Sequence, residues 1–249
     1  FSVSTVFVFF FFFFKQKTAY EFRLSLVRSG MCIRDRLLDI DPQCNATRGF
    51  GFAPLDKDSH PFFVHNEPWN VASVVEPGRL SVLPGSRSLA QADSNNQFSN
   101  FDKVSAQLHR LMQDYEYVLF DCPPSLGWLT RLALEVCTEV FIPIQCEYYA
   151  MEGLSQMVDA IRHLQSKSSK SPTIGGIVLT MFDPSVQLAK DVSEEVIRYF
   201  GDQVYSTFIP RDTVLAEAPS HGLSVLNYAP RSRGARAYVE LCLEVIDRG

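Results

Sequence analysis

The chain of 249 residues is 46% hydrophobic and 20% charged, with a formal net charge of -5. These values suit one globular domain and exclude a collagen-like repeat, a disordered chain and a basic nucleic-acid tail. Phenylalanine alone is out of proportion, because nine of the 20 fall in the first 36 residues.

Those residues open on a phenylalanine-rich run, Phe1 to Phe14, followed by Lys15-Gln16-Lys17-Thr18-Ala19-Tyr20-Glu21 and later by Met31-Cys32-Ile33-Arg34-Asp35-Arg36. A secretory signal places its basic residues ahead of the apolar stretch, and here they follow it. A membrane-spanning helix needs about 20 apolar residues, more than this run supplies. Back-translation of Lys15 to Glu21 and of Met31 to Arg36 spells strings typical of sequencing-library oligonucleotides, and a thymine run yields the phenylalanines. Residues 1–36 are therefore read as non-native sequence of sequencing or assembly origin, and residues 37–249 as the domain. Without the six basic and two acidic residues of that segment, the net charge moves from -5 to -9. Five cysteines remain (Cys44, Cys122, Cys137, Cys146, Cys242), without a C-x-x-C pair, which indicates reduced thiols in a cytoplasmic protein.

From Leu37 onward, apolar runs of strand length alternate with stretches of helical period. The runs predict strands at Leu37–Ile40, Leu80–Leu83, Tyr117–Phe120, Val140–Ile144, Ile174–Thr180 and Val204–Ile209. Helices are predicted at Asp102–Gln113, Leu126–Val136, Met151–Gln165, Val186–Phe200 and Ala235–Ile246. Between them lie an irregular stretch, Asp56 to Asn70, and a polar connection, Ser166 to Pro172. Alternation of this kind predicts an α/β fold with a doubly wound, mainly parallel sheet. Tyr117–Phe120 and Ile174–Thr180 are continuously apolar, as strands covered on both faces are.

In such sheets ligands bind beyond the carboxyl ends of the strands. Two strand ends carry acids there: Asp39 and Asp41 in Leu38-Asp39-Ile40-Asp41-Pro42, and Asp121 in Phe120-Asp121-Cys122-Pro123-Pro124-Ser125. A strand-tip aspartate suits magnesium, a hard cation that prefers carboxylate and water oxygens, and a second carboxylate can orient a water for attack on a phosphoryl group. Asp121 alone would more often be a solvated turn residue. Together with Asp39 and Asp41 it is a candidate metal site.

Four long motifs, in order, carry a resemblance. They are Leu38-Asp39-Ile40-Asp41-Pro42-Gln43-x-Asn45-Ala46-Thr47, Asp121-Cys122-Pro123-Pro124-Ser125-Leu126-Gly127, the run from Ile142 to Leu154, and Pro210-Arg211 followed by Glu217-Ala218-Pro219-Ser220-His221-Gly222. Together they closely resemble the ParA/Soj family of chromosome and plasmid partitioning ATPases, which are P-loop NTPases. The resemblance implies ATP and magnesium as cofactors, a nucleotide-dependent homodimer, a ParB-type centromere-binding partner and a cytoplasmic, nucleoid-associated location. It implies that Asp41 positions the hydrolytic water, that Asp39 supports magnesium from behind its ligands and that Asp121 holds the metal. It further implies that Pro123, Pro124 and Ser125 form a turn responsive to the γ-phosphate, and that Thr180, Met181, Pro210 and Arg211 border the adenine. For the last four a plain strand end and turn are an equal reading.

The sequence departs from the family in two places. The family's first strand, Lys-Gly-Gly-x-Gly-Lys-Thr phosphate loop and first helix are expected to be missing, their place taken by residues 1–36, so the chain as it stands is expected not to hydrolyse ATP. The basic positions used for non-specific DNA binding are occupied by Ser185 and Val214. Lys190, Arg231, Arg233 and Arg236 are candidate substitutes, and equally a solvated helix face and turn.

Five histidines (His60, His65, His109, His163, His221) lack metal-ligand spacing. Tyr148 and Tyr149 suggest core packing or a dimer face before a stacking platform for bases. Two alternatives stand beside the partitioning switch. A MinD-like ATPase acting at a membrane would need a basic amphipathic C-terminal helix, whereas Tyr238 to Gly249 is acidic. A nucleotide-blind adaptor of the same fold would have no need of three strand-end carboxylates.

Overall fold

The computed structural model describes residues 5–10, 35–56, 60–62, 73–76, 80–91, 101–113, 115, 117–166 and 171–248. Most of residues 1–36, much of the irregular stretch from Asp56 with His65, and the middle of the Ser166–Pro172 connection lie outside them. The described strands are β1 (Thr5–Phe10), β2 (Asp35–Asp39), β3 (Ser73–Glu76), β4 (Leu80–Leu83), β5 (Tyr117–Cys122), β6 (Glu139–Gln145) and β7 (Thr173–Thr180). They form one sheet of order β3-β4-β2-β5-β1-β6-β7. All neighbours are parallel except the edge pair β3 and β4.

The helices are α1 (Asn45–Gly49), α2 (Phe101–Met112), α3 (Trp128–Val136), α4 (Ala150–Gln165), α5 (Gln187–Phe200), α6 (Thr213–Glu217), α7 (Val225–Tyr228) and α8 (Arg233–Arg248). Side chains alternate across a strand, and both faces of this sheet are covered. Leu38, Val118, Phe120, Ile142 and Leu179 join α2, α3, α4 and α5 in one core. Leu37, Leu119, Phe141 and Val178 join the α6 to α8 side in the other. Hence the uninterrupted apolar runs, and hence the doubly wound sheet expected from them.

Two expectations need correction, and one strand was not foreseen. The fold does not begin at Leu37 without a first strand: β2 starts at Asp35, and β1 fills the slot between β5 and β6, pairing Phe9 with Asp121 and Phe7 with Glu139. Two parallel neighbours create a place that only an extended segment can satisfy with hydrogen bonds, and the apolar run Thr-Val-Phe-Val-Phe-Phe meets it. Val204–Ile209 is not a strand. It touches the sheet at the bridges Ile177–Val204 and Phe182–Pro210. Between them Ser206 and Thr207 turn their N–H groups away, donating to Glu244 of α8 at 2.7 and 3.0 Å. The edge strand β3, with its irregular register against β4, was not anticipated either.

Candidate functional site

The end of β2 assembles the site. Ile40 N–H donates to the Asp121 carbonyl at 2.9 Å, extending the ladder one residue past Asp39, and Pro42, without an N–H, stops it. Cys44 then takes a left-handed conformation (φ 54°) that turns the chain into α1. A helix start leaves N–H groups without intrahelical partners, and here the strand-tip acids receive two of them. Thr47 N–H and Thr47 Oγ1 donate to Asp39 Oδ2 at 2.8 and 2.6 Å. Ala46 N–H donates to Asp121. The other Asp39 oxygen accepts Asp41 N–H at 3.3 Å. The Thr47 hydroxyl in turn accepts Gly85 N–H at 2.8 Å, tying the loop after β4 to the same point. Space there excludes a side chain, because a Cβ on Gly85 would lie 2.9 Å from the Asp39 carbonyl oxygen.

Asp39, Asp41 and Asp121 thus come together as the motifs suggested, with Asp39 and Asp121 in register on adjacent strands. Burial raises the pKa of Asp39 to about 7; the Asp41 charge adds to the rise and the Thr47 hydrogen bonds oppose it. Burial raises Asp121 well above the usual range, reinforced by the charges of Asp39 and Asp41. Burial also raises Asp41. Among the described residues no three His, Cys, Asp or Glu side chains are placed to bind an ion directly. The arrangement suits magnesium held through few direct ligands and through water: a cation would relieve the repulsion among the three acids.

A carboxyl raised in the folded state binds more protons than in the unfolded chain, so its contribution to stability is full below its unfolded pKa and declines as pH rises through the folded value. For Asp39 that window runs from about 4 to about 7. The melting temperature without magnesium is therefore expected to fall between pH 5 and pH 8, and magnesium to raise it only at the upper end. A melting temperature that rises over this range would contradict the assignment.

The turn after β5 is held by a residue the motifs did not flag. Pro124 and Ser125 are exposed and Pro123 is buried. Thr130, buried in the first turn of α3, donates its hydroxyl to the Ser125 carbonyl at 2.5 Å and lies 3.4 Å from that of Pro123. Thr47 closed the first motif without a role of its own, and Gly85 and Thr130 were missed. Only the capping habit of threonine near a helix start hinted at two of them.

At the end of β7, Thr180, Met181, Pro210 and Arg211 are also neighbours. Thr180 is buried and donates to the Ile144 carbonyl at 3.2 Å. Met181 has a positive φ of 54°, an uncommon conformation for a side-chain-bearing residue. Arg211 N–H donates to the Phe182 carbonyl at 3.0 Å, and its guanidinium pairs with Glu147 at 2.9 Å. Trp128 and Phe141 are buried, whereas Tyr148 and Tyr149 are exposed, so core packing is excluded for the two tyrosines.

The candidate DNA contacts lie on the surface. Lys190 is exposed on α5, and Arg231, Arg233 and Arg236 are exposed at the start of α8. Arg211 and Arg233 both act on Asp183, holding it below the usual range after its bonds with Ser185. Ser185 is exposed in that turn, while Val214 packs against the second core. Asp212 joins two helix starts by accepting Val214 N–H at 3.4 Å and Gly234 N–H at 3.0 Å.

A parallel sheet covered on both faces, with carboxylates at the tips of neighbouring strands, defines the class of P-loop NTPase-like folds. The AAA domain family matches residues 15–174. The chain is 40% identical over 233 residues to the sporulation initiation inhibitor protein Soj of Bacillus subtilis, covering 90% of this chain and 92% of that protein. It is 35% identical over 241 residues to the chromosome partitioning protein ParA of Myxococcus xanthus, covering 94% and 84%. Cobyrinic acid a,c-diamide synthase from Mycobacterium smegmatis, with bound ATP analogue and magnesium, shares the fold at a TM-score of 0.75, with 24% identity, 96% of this chain and 93% of that one covered. The chain belongs to the ParA/Soj family of chromosome-partitioning ATPases.

Proposed function

We propose that the natural protein is an ATP-dependent partitioning switch whose strand, phosphate loop and first helix precede Leu37, and that residues 1–36 stand in their place. The observation that carries this reading is the set of three buried, mutually repelling carboxylates at the tips of β2 and β5, beside a sheet slot filled by β1. The sequence after β1 reads Phe11 to Phe14 and Lys15-Gln16-Lys17-Thr18, with no glycine to let backbone N–H groups close on phosphates. Asp35 and Arg36 are both buried at the start of β2, a costly place for charge, where Arg36 Nε–H donates to Ser81 Oγ at 3.1 Å and the guanidinium lies 4.5 Å from the Tyr115 ring centre.

In the natural protein, bound magnesium neutralises charge on the nucleotide phosphates. Asp121 is the carboxylate offered to it, Asp39 fastens α1 beneath it, and Asp41 orients the attacking water. Thr180, Met181, Pro210 and Arg211 border the base. The turn Pro123–Ser125, braced by Thr130, is placed to move with the γ-phosphate. The partners are a second copy, in the nucleotide-bound state, and a ParB-type centromere-binding protein. The location is the cytoplasm, at the nucleoid. Against a MinD-like action at a membrane, the apolar residues exposed on α8, Val239 and Leu243, are flanked by Glu240 and Asp247, which anionic lipid would repel.

The test replaces residues 1–36 with a strand, Lys-Gly-Gly-x-Gly-Lys-Thr loop and helix of the family. The chain as it stands is expected to show no ATP turnover, and the repaired protein to bind ATP with magnesium and hydrolyse it slowly. DNA binding of the repaired protein is expected to weaken with salt, with a slope that becomes shallower by about two when Arg231 and Arg233 are exchanged together for alanine. A repaired protein that folds without binding ATP would sink the switch reading; unchanged salt dependence would exclude the two arginines.

A further inference from the structure

The slot between β5 and β6 is walled by residues remote in sequence from the strand that fills it. Val118, Phe120, Val140 and Ile142 belong to one core and Leu119 and Phe141 to the other. A strand seated between them is covered on both faces, which calls for an apolar sequence. The strand β1 lies there in parallel register on both sides, Thr5 to Phe10 opposite Tyr117 to Cys122 and Phe7 to Phe9 opposite Glu139 to Phe141. Without it, β5 and β6 would each present a row of N–H and C=O groups to an empty place in the middle of the sheet. Such groups are costly to leave unpaired, and they are a template for another strand.

What the slot demands is an extended, apolar, parallel segment, and nothing in that demand fixes which chain supplies it. Nor does the tether. Phe10 is level with Cys122 and Asp35 with Tyr117, two strands away at the opposite end of the sheet, a direct span of about 20 Å from strand rise and spacing. Residues 11–34 join these two points and reach about 80 Å when extended. The covalent link thus lets β1 enter a neighbouring copy's slot, where it meets the same ladder in the same register. Exchange of an identical element in this way is a low-cost route to a dimer. We propose that the slot is a strand-acceptor site, and that its occupant in trans is the Thr5–Phe10 segment of a second copy. Concentration sets the balance, because a strand on a short tether competes for its own slot at an effective concentration in the millimolar range. The exchanged dimer needs no nucleotide, so its failure is separable from a failure of the partitioning reading.

The test refolds the full chain from denaturant, without nucleotide, at about 1 mM and about a thousandfold lower, near and far below the effective concentration of a tethered strand. Sedimentation is expected to show dimer from the concentrated sample alone. Val8 pairs with Phe120 on one side and Val140 on the other, so Val8→Pro removes an N–H from the middle of the sheet. That variant is expected to yield no dimer and to melt about 6 °C or more below wild type. A synthetic peptide of residues 4–10 flanked by lysines is expected to restore at least half of the lost melting temperature. The same peptide with proline in place of Val8 is expected to restore none. Should Val8→Pro fail to fold, recovery of folded protein on refolding with the two peptides gives the same comparison. A dimer that survives Val8→Pro would arise elsewhere on the surface and overturn the proposal. So would a variant that melts like wild type, a peptide without effect, or the absence of dimer from the concentrated sample.

Discussion

Replacing Gly176 with valine is expected to remove about 3 kcal/mol or more of stability, a large part of the about 5–15 kcal/mol that holds a domain folded. Gly176 lies in the interior of β7, and a Cβ there would sit 2.1 Å from Cε2 of Tyr205 and 2.7 Å from its Cζ. The ring cannot step aside cheaply. It stacks on Phe141 at 5.7 Å and 11°, and its hydroxyl donates to the Gly175 carbonyl at 3.3 Å. Arg248 covers it at 4.4 Å while donating to the carbonyls of Asp202 and Val204 at 2.8 and 3.1 Å. Moving Tyr205 would therefore also loosen the end of α8. The check is the midpoint of denaturant unfolding, together with the double variant G176V/Y205A. If the clash is the cause, the second change restores part of the loss, because contacting sites are not additive. A midpoint within experimental error of wild type would refute the account. Gly234→Ala meets a similar obstacle on the other face: its Cβ would lie 2.6 Å from Leu215 Cγ and within 2.8 Å of both its methyl carbons.

This tie between β7, the chain from Val204 to Ile209 and α8 shows what the sequence concealed. Val204–Ile209 has the composition of a strand, yet Glu244, remote in sequence, takes the N–H groups of Ser206 and Thr207 and leaves only two bridges. Local pattern carries no information about such a competitor. The strands β4, β5, β6 and β7 were legible because burial on both faces demands long apolar runs, and the five longer helices because one apolar stripe repeats along each. For β1 the pattern was present, but the repeated phenylalanines argued for a foreign origin. The slot between β5 and β6 is a property of the whole sheet and appears in no local window. At the site, acids following apolar runs pointed to Asp39, Asp41 and Asp121. The role of Thr47, and Gly85 and Thr130 altogether, stayed hidden because they depend on which loops meet.

That geometry gives a physical reason for the different roles the resemblance implies for Asp41 and Asp39. Both oxygens of Asp39 are committed within the fold, one to Thr47 and the other to Asp41 N–H. Asp41 accepts Gln43 N–H at 2.9 Å through Oδ1 alone, and no described residue bonds to its Oδ2. Burial holds it above the usual carboxylate range, toward the pH at which a general base is most effective. In the repaired protein, Asp41→Asn is therefore expected to lower ATP turnover by about 10²–10⁴-fold, with nucleotide affinity and melting temperature near wild type. Asp39→Ala is expected to act through folding. It leaves Thr47 N–H and Asp41 N–H without their acceptor and frees the Thr47 hydroxyl from its anchor, at about 1–3 kcal/mol for each buried group stranded, so melting temperature and ATP affinity fall along with turnover. Thr47→Val should reproduce the Asp39 effect in weaker form. Single-turnover hydrolysis, equilibrium nucleotide binding and thermal unfolding on the same three variants separate the roles. A large loss of turnover in Asp39→Ala at unchanged melting temperature, with Asp41→Asn near wild type, would reverse the assignment and make Asp39 the residue that faces the reaction.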